Sequence, residues 1–138
     1  MKIIKQRDWV FYMNINSQTY FDNDKVGKWI LYFNDISWAK EVCMKAINED
    51  IVYQAKHSDS ETGIICFYLN IDDIDRQKKI ISWFILNNYI KKTTKGRFTN
   101  ISFKLDSQTL SDEYGKNFTP KLNLSNFINL ADGKFINY

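Results

Sequence analysis

Two short stretches of the chain gather the side chains that could do chemistry. In Gln54-Ala55-Lys56-His57-Ser58, hydrogen-bonding and cationic groups follow one another at what reads as the end of a strand. In Phe103-Lys104-Leu105-Asp106-Ser107-Gln108-Thr109, continuing to Asp112-Glu113-Tyr114-Gly115-Lys116, a second strand runs into a segment dense in polar groups. Strand ends that open into loops are where α/β proteins place function, because the scaffold holds the loop while its side chains vary. Each residue also has a plainer reading as part of a solvated loop. His57, beside Ser58 and a polar turn, reads as an exposed turn histidine ahead of a catalytic one. Trp29 at a strand start reads as core, Lys28 as a solvated edge residue, and Arg76 as a helix-surface group within reach of an anion.

Many reaction classes are set aside by what is missing. There is no GxSxG elbow, no phosphate-cradling P-loop and no dinucleotide fingerprint. His57 is the single histidine, and Cys43 and Cys66 are the only cysteines, both within apolar stretches. That pattern suits two buried thiols in a reducing compartment, with no zinc site and no cofactor. The net charge of +3 comes without a run of basic residues, which disfavours duplex binding but is compatible with a small anionic ligand. The charged N-terminus and the lack of a membrane-length apolar run point to a cytoplasmic protein.

Positioning these groups falls to a regular series of elements. Trp9–Ile15 reads as a strand rich in β-formers, and Lys28–Asn34 as a second. Asn34 or Asp35 can cap the helix that follows, on which Ile36, Ala39, Val42, Cys43, Ala46 and Ile47 share one face. Ile51–His57 reads as a strand, Ser58–Gly63 as a turn, and the almost wholly apolar Ile64–Leu69 as a central strand. Asp72 or Asp73 can cap a second helix carrying Ile74, Ile81, Phe84, Ile85 and Asn88, with Ile80 and Trp83 widening the stripe. A basic loop over Lys91–Thr99 leads to a last strand, Asn100–Leu105. Beyond Asp106 the pattern fades, although Leu122, Leu124, Phe127, Ile128 and Leu130 suggest a tail packed against something.

From Lys28 onward the order is strand, helix, strand, strand, helix, strand. This predicts one α+β domain over residues 1–138: a ferredoxin-like split-βαβ sandwich with an additional N-terminal strand and an irregular C-terminal tail. Aromatic residues make up 16% of the chain, more than such a core needs. Some are expected to line a pocket or a subunit interface. The second face of the sheet calls for cover by these aromatics, by the tail or by another subunit, so a homo-oligomer is expected.

Two resemblances add expectations about function. Gly27-Lys28-Trp29, Trp38, Ala55-Lys56, Gly63-Ile64-Ile65-Cys66-Phe67-Tyr68, Asp75-Arg76, and Lys104 with Asp106 and Thr109 resemble a family of small prokaryotic proteins described as phosphothreonine-lyase-domain proteins. Related eukaryotic domains have a fold like the cap-binding translation initiation factors. Lys104 followed by Ser107-Gln108-Thr109, together with chain length and element order, resembles the S-adenosylmethionine (SAM) lyases, although Leu105 and Asp106 intervene here. Relatives in that second group degrade SAM-derived nucleotide signals in type III CRISPR defence. They are trimers with active sites between subunits.

The second resemblance implies a lyase that cleaves SAM, or a SAM–AMP conjugate, to methylthioadenosine (or its AMP conjugate) and homoserine lactone. The substrate's own carboxylate attacks, so the enzyme chiefly imposes attack geometry. It places Tyr68 and Tyr114 near the sulfonium and Glu113 or Asp106 as the carboxylate. Ser107, Gln108 and Thr109 then orient the substrate, with Lys56, Lys104 or Lys116 toward a phosphate. The first resemblance implies β-elimination by a lysine base, Lys56 or Lys104, with His57 as the acid. A third possibility is a non-catalytic module for a capped or free nucleotide, in which Trp9, Trp29 or Trp38 stacks on the base and lysines take the phosphates. An interaction domain with no small ligand is the plainest reading.

Overall fold

The computed structural model describes residues 1–15, 21–107 and 122–136. Its strands are β1 (Lys2–Gln6), β2 (Trp9–Met13), β3 (Val26–Phe33), β4 (Gln54–Ser58), β5 (Gly63–Asn70), β6 (Ser102–Leu105) and β7 (Leu122–Asn123). Helix α1 (Ile36–Asn48) lies between β3 and β4, and α2 (Ile74–Leu86) between β5 and β6. The strands form one sheet in the order β1-β2-β4-β5-β3-β6-β7, with every neighbouring pair antiparallel. Within it, β4-β5-β3-β6 is the split-βαβ arrangement. Strands β3 and β4 run parallel with β5 between them, and β5 and β6 run parallel with β3 between them. The α+β expectation holds, with two corrections to the strands.

First, two strands rather than one precede the split-βαβ unit. β1 and β2 form a tight hairpin in register Gln6↔Trp9, turning through Arg7 at φ 56°. Second, Ile51 and Val52 are not in a strand. Asp50 takes a left-handed φ of 55° and the Ile51 N–H returns to the Ala46 carbonyl, so the chain is still closing α1 there. Both side chains are nevertheless core residues.

The helices start where their caps predict. The Asp35 carboxylate accepts from Ser37 N–H, and that of Asp73 from Arg76 N–H. Their buried faces, Ala39, Val42, Cys43, Ala46 and Ile47 on α1 and Gln77, Ile80, Ile81, Trp83 and Phe84 on α2, lie against one side of the sheet. That side is built from the alternate residues Trp29, Leu31 and Phe33 of β3, Ile65, Phe67 and Leu69 of β5, and Phe103 and Leu105 of β6. Leu124, Phe127 and Ile128 join the same core. The described part of the tail thus packs on the helix side and leaves the second sheet face to other residues.

Strand β6 can approach β3 this closely because Gly27 has no side chain. A Cβ there would sit 2.5 Å from Phe103 Cε1 and 2.6 Å from the Lys104 carbonyl oxygen, far inside contact distance. Gly27 therefore sets the β3–β6 pairing that brings Lys28 opposite Lys104.

Candidate functional site

Alternation along the strands sends a distinct set of residues to the face opposite the helices. Lys28 is the cross-strand partner of both Tyr68 on β5 and Lys104 on β6, and Lys56 on β4 is the partner of Cys66 on β5 and Phe11 on β2. Val26, Cys66 and Tyr68 form a small second core there, packed against Trp9, Phe21, Ile30 and Ile64. The expected site residues Lys56, Tyr68, Lys104 and Asp106 are thus brought together. Ser107 is exposed, just beyond β6. Gln108, Thr109, Glu113, Tyr114 and Lys116 lie outside the described residues.

Lys28 corrects its sequence reading. It is a buried residue of a central strand, not a solvated edge, and its Nζ donates to Asp106 Oδ1 at 2.7 Å. A central strand tolerates a lysine here because the carboxylate neutralises it and the aliphatic stem lies on apolar neighbours. Its Nζ is also 5.9 Å from the centre of the Tyr68 ring.

Lys56 is different. Its ammonium lies 3.7 Å from the centre of the Trp9 ring, 5.5 Å from that of Phe11 and 5.8 Å from that of Tyr68. Among the described residues it makes no salt bridge and no hydrogen bond. Burial holds its pKa below the ordinary lysine value, with Lys28 adding in the same direction and Cys66 and Asp106 opposing. A half-buried cation with aromatic faces and no paired carboxylate among the described residues can receive an anion.

Neither Cys66 nor Tyr68 on this face is poised as an acid, base or nucleophile. Burial pushes the Cys66 thiol up to about 11, and pushes the Tyr68 phenol well above its ordinary value. Both stay neutral near pH 7. Cys43, on the buried face of α1, is raised for the same reason.

His57 and Lys56 are adjacent in β4 and so point to opposite faces of the sheet. His57 is fully buried on the helix side, not an exposed turn residue. Its Nδ1 donates to the Ser58 carbonyl at 2.8 Å and its Nε2 accepts from the Tyr12 hydroxyl at 3.0 Å. This network fixes the neutral Nδ1–H tautomer, and a Lys56–His57 base–acid pair is excluded by the geometry. Trp29 is likewise fully buried on the helix side. Arg76 is a structural group that donates to the Asp50 and Ile51 carbonyls and the Tyr53 hydroxyl, tying α2 to the end of α1.

Burial lowers the His57 pKa, with Lys40 acting in the same direction and the Ser58 carbonyl and Asp59 opposing. Below the unfolded-state value of about 6.5, the unfolded chain takes up a proton that the folded chain refuses, so stability is full above that pH and falls as pH drops through it. We expect unfolding free energy to be level from about pH 8 to 7, then to decline by up to about 1.4 kcal/mol per unit below about 6.5. Urea titrations of the wild type and of His57→Gln test this: a slope of equal size in the variant would assign the decline to other groups.

Tyr32 is the residue the sequence reading missed. It stands on β3 on the same face as Lys28 and Ile30, and 74% of it is exposed. Among the described residues three clefts adjoin it, two of them large. One of about 380 Å³ is lined by Ile30, Ser102 and Lys104 among others, and one of about 450 Å³ by Asp35, Trp38 and Lys91 among others. The i, i+2, i+4 spacing of Lys28, Ile30 and Tyr32 would have signalled it.

The chain matches no family model and no curated protein. Among solved structures it is similar to two crystal structures of schistosome eIF4E, one complexed with m7GpppG and 4E-BP and one with m7GpppA and 4E-BP. Both are 14% identical with a TM-score of 0.58 over 87% of this chain, and over 71% and 72% of theirs. The likeness is one of fold: this chain has an α+β fold similar to that of the eIF4E structures. No described helix is long and apolar enough to cross a membrane.

Proposed function

We propose that this protein is a non-catalytic nucleotide-binding module whose ligand phosphate sits on Lys56, with Trp9 beside it and Lys104 and the Lys28–Asp106 pair bordering the site. The observation that carries this reading is the Lys56 ammonium, half-buried against three aromatic rings with no carboxylate partner among the described residues. Phosphate oxygens would supply the missing hydrogen-bond acceptors. Among the described residues, the ammonium groups of Lys28, Lys56 and Lys104 gather with the one carboxylate of Asp106, which suits an anion better than a sulfonium cation and supports the binding module ahead of SAM cleavage. The fold supports the reading, since the schistosome eIF4E structures similar to it hold the nucleotides m7GpppG and m7GpppA.

Titration with GTP, ATP and m7GpppG, read by tryptophan fluorescence, tests the proposal. Saturable quenching with Kd in the micromolar range and no change in the nucleotide by mass spectrometry is the expected result. Loss of the response in Trp9→Phe would locate it. Absence of binding by all three ligands would overturn the proposal, and conversion of the nucleotide would turn the module into an enzyme.

A further inference from the structure

Lys56 and Trp9 occupy only one end of the helix-free face. Across the sheet, Trp9 is the partner of Ser58 and Tyr32 is the partner of Ile64. The Ser58 hydroxyl accepts from Ile64 N–H at 3.0 Å and so joins the two halves into one row. Trp9 and Tyr32 therefore stand on the same face, three strand spacings or about 14 Å apart. All four residues of the row are at least partly exposed. No single base reaches both rings.

Cations flank each ring. Lys56 lies over Trp9, while Lys91 and Lys104 line the clefts on either side of Tyr32. Lys91 has no ion-pair partner among the described residues. Among the described residues the one carboxylate lining these clefts, Asp35, is engaged in capping α1. Aromatic rings that alternate with lysines across a sheet face match what a single strand of nucleic acid requires. Bases stack on the rings regardless of sequence, and phosphates pass between the ammonium groups.

We infer that the helix-free face binds a single-stranded oligonucleotide running across the strands, with one base on Trp9, a later base on Tyr32, and phosphates on Lys56, Lys104 and Lys91. This rests on the nucleotide-binding reading and extends it from a mononucleotide to a chain. Ile64 and Ser58 floor the path between the two rings.

The test compares UTP with octauridylate RNA by isothermal titration, so that chain length is the main variable. Octauridylate is expected to bind at least about tenfold more tightly than UTP, as a second stacked base provides. The logarithm of its affinity should fall with that of salt at a slope near −2, for about three phosphates engaged. Tyr32→Ala should lose the gain with length while binding UTP as the wild type does. Lys91→Ala, at an exposed position, should lower the salt slope by about 0.7. Equal affinity for UTP and octauridylate, or a Tyr32→Ala variant that binds octauridylate normally, overturns this inference and leaves the mononucleotide reading intact. Failure of both probes overturns this inference, and failure of GTP, ATP and m7GpppG as well overturns the two together.

Discussion

Replacing Lys56 by methionine is expected to weaken nucleotide binding by about 10- to 100-fold, the loss of one charge-assisted contact, while leaving the protein at least as stable as before. The two halves of this expectation have one cause. In the free protein the Lys56 ammonium is partly withdrawn from water, and its pKa is depressed because burial disfavours the charged form. The faces of Trp9, Phe11 and Tyr68 and the charge of Asp106 return part of that loss, but no carboxylate among the described residues pairs with the ammonium. Methionine keeps the contact with the aromatic rings and removes the charge. A residue retained for stability behaves in the opposite way, so thermal unfolding separates the two roles. A clear fall in Tm with unchanged nucleotide affinity would make Lys56 a structural residue and take the central group out of the proposed site. A loss of affinity with an unchanged or raised Tm is the signature of a group held at the fold's expense for a ligand. Lys56→Arg keeps the charge and should retain most of the binding, which guards against a merely steric effect.

What the sequence made legible divides along the range of the interactions. The α1 stripe was readable because its five buried residues recur at helical spacing, and local spacing is all that an amphipathic helix needs. On α2 the same logic named Ile74, which is partly exposed at 38%, and passed over Gln77, which is fully buried. A glutamine is buried only where its amide finds partners. Those partners, the indole of Trp29 and the Asn70 carbonyl, are supplied by other elements. Lys28 was misplaced for the same reason, since its counter-ion Asp106 is 78 residues away in sequence. The β1–β2 hairpin escaped notice because its turn carries Arg7 at positive φ where glycine or asparagine is the usual signal. The convergence of Lys56, Tyr68, Lys104 and Asp106 was partly legible. Alternation alone puts each on a definite face, but the strand order that makes them neighbours is a property of the whole sheet. His57 shows the limit of that reasoning, because a place near the end of a strand implied exposure and the hydrogen bond with Tyr12 reversed it.

The site depends on a core residue directly behind it, and Trp29→Ala is expected to be the most damaging single substitution in the protein. Trp29 is fully buried between the sheet and α2, with Phe103 and Phe127 edge-on to it at centroid distances of 5.5 and 6.3 Å. Its Nε1 donates to Gln77 Oε1 at 2.6 Å, and the Gln77 amide donates in turn to the Asn70 carbonyl. Truncation to alanine removes the ring, leaves a cavity and strips the Gln77 oxygen of its donor. Together these cost about 3–5 kcal/mol, a large part of the 5–15 kcal/mol that stabilises a typical domain. A fall in Tm of about 10–20 °C should follow, and a fall of less than about 5 °C would show that Trp29 is not the centre of this core. Gln77→Leu separates the polar part from the packing, since it orphans the indole N–H at a cost of about 1–3 kcal/mol while keeping the volume. Adding Trp29→Phe to Gln77→Leu should then cost less than the two single changes summed, because the double variant has neither group left unpaired. The functional consequence runs through the backbone. Trp29 anchors the stretch of β3 whose alternate residues, Lys28, Ile30 and Tyr32, face the proposed ligand, so loosening it on one side of the sheet misplaces the groups on the other.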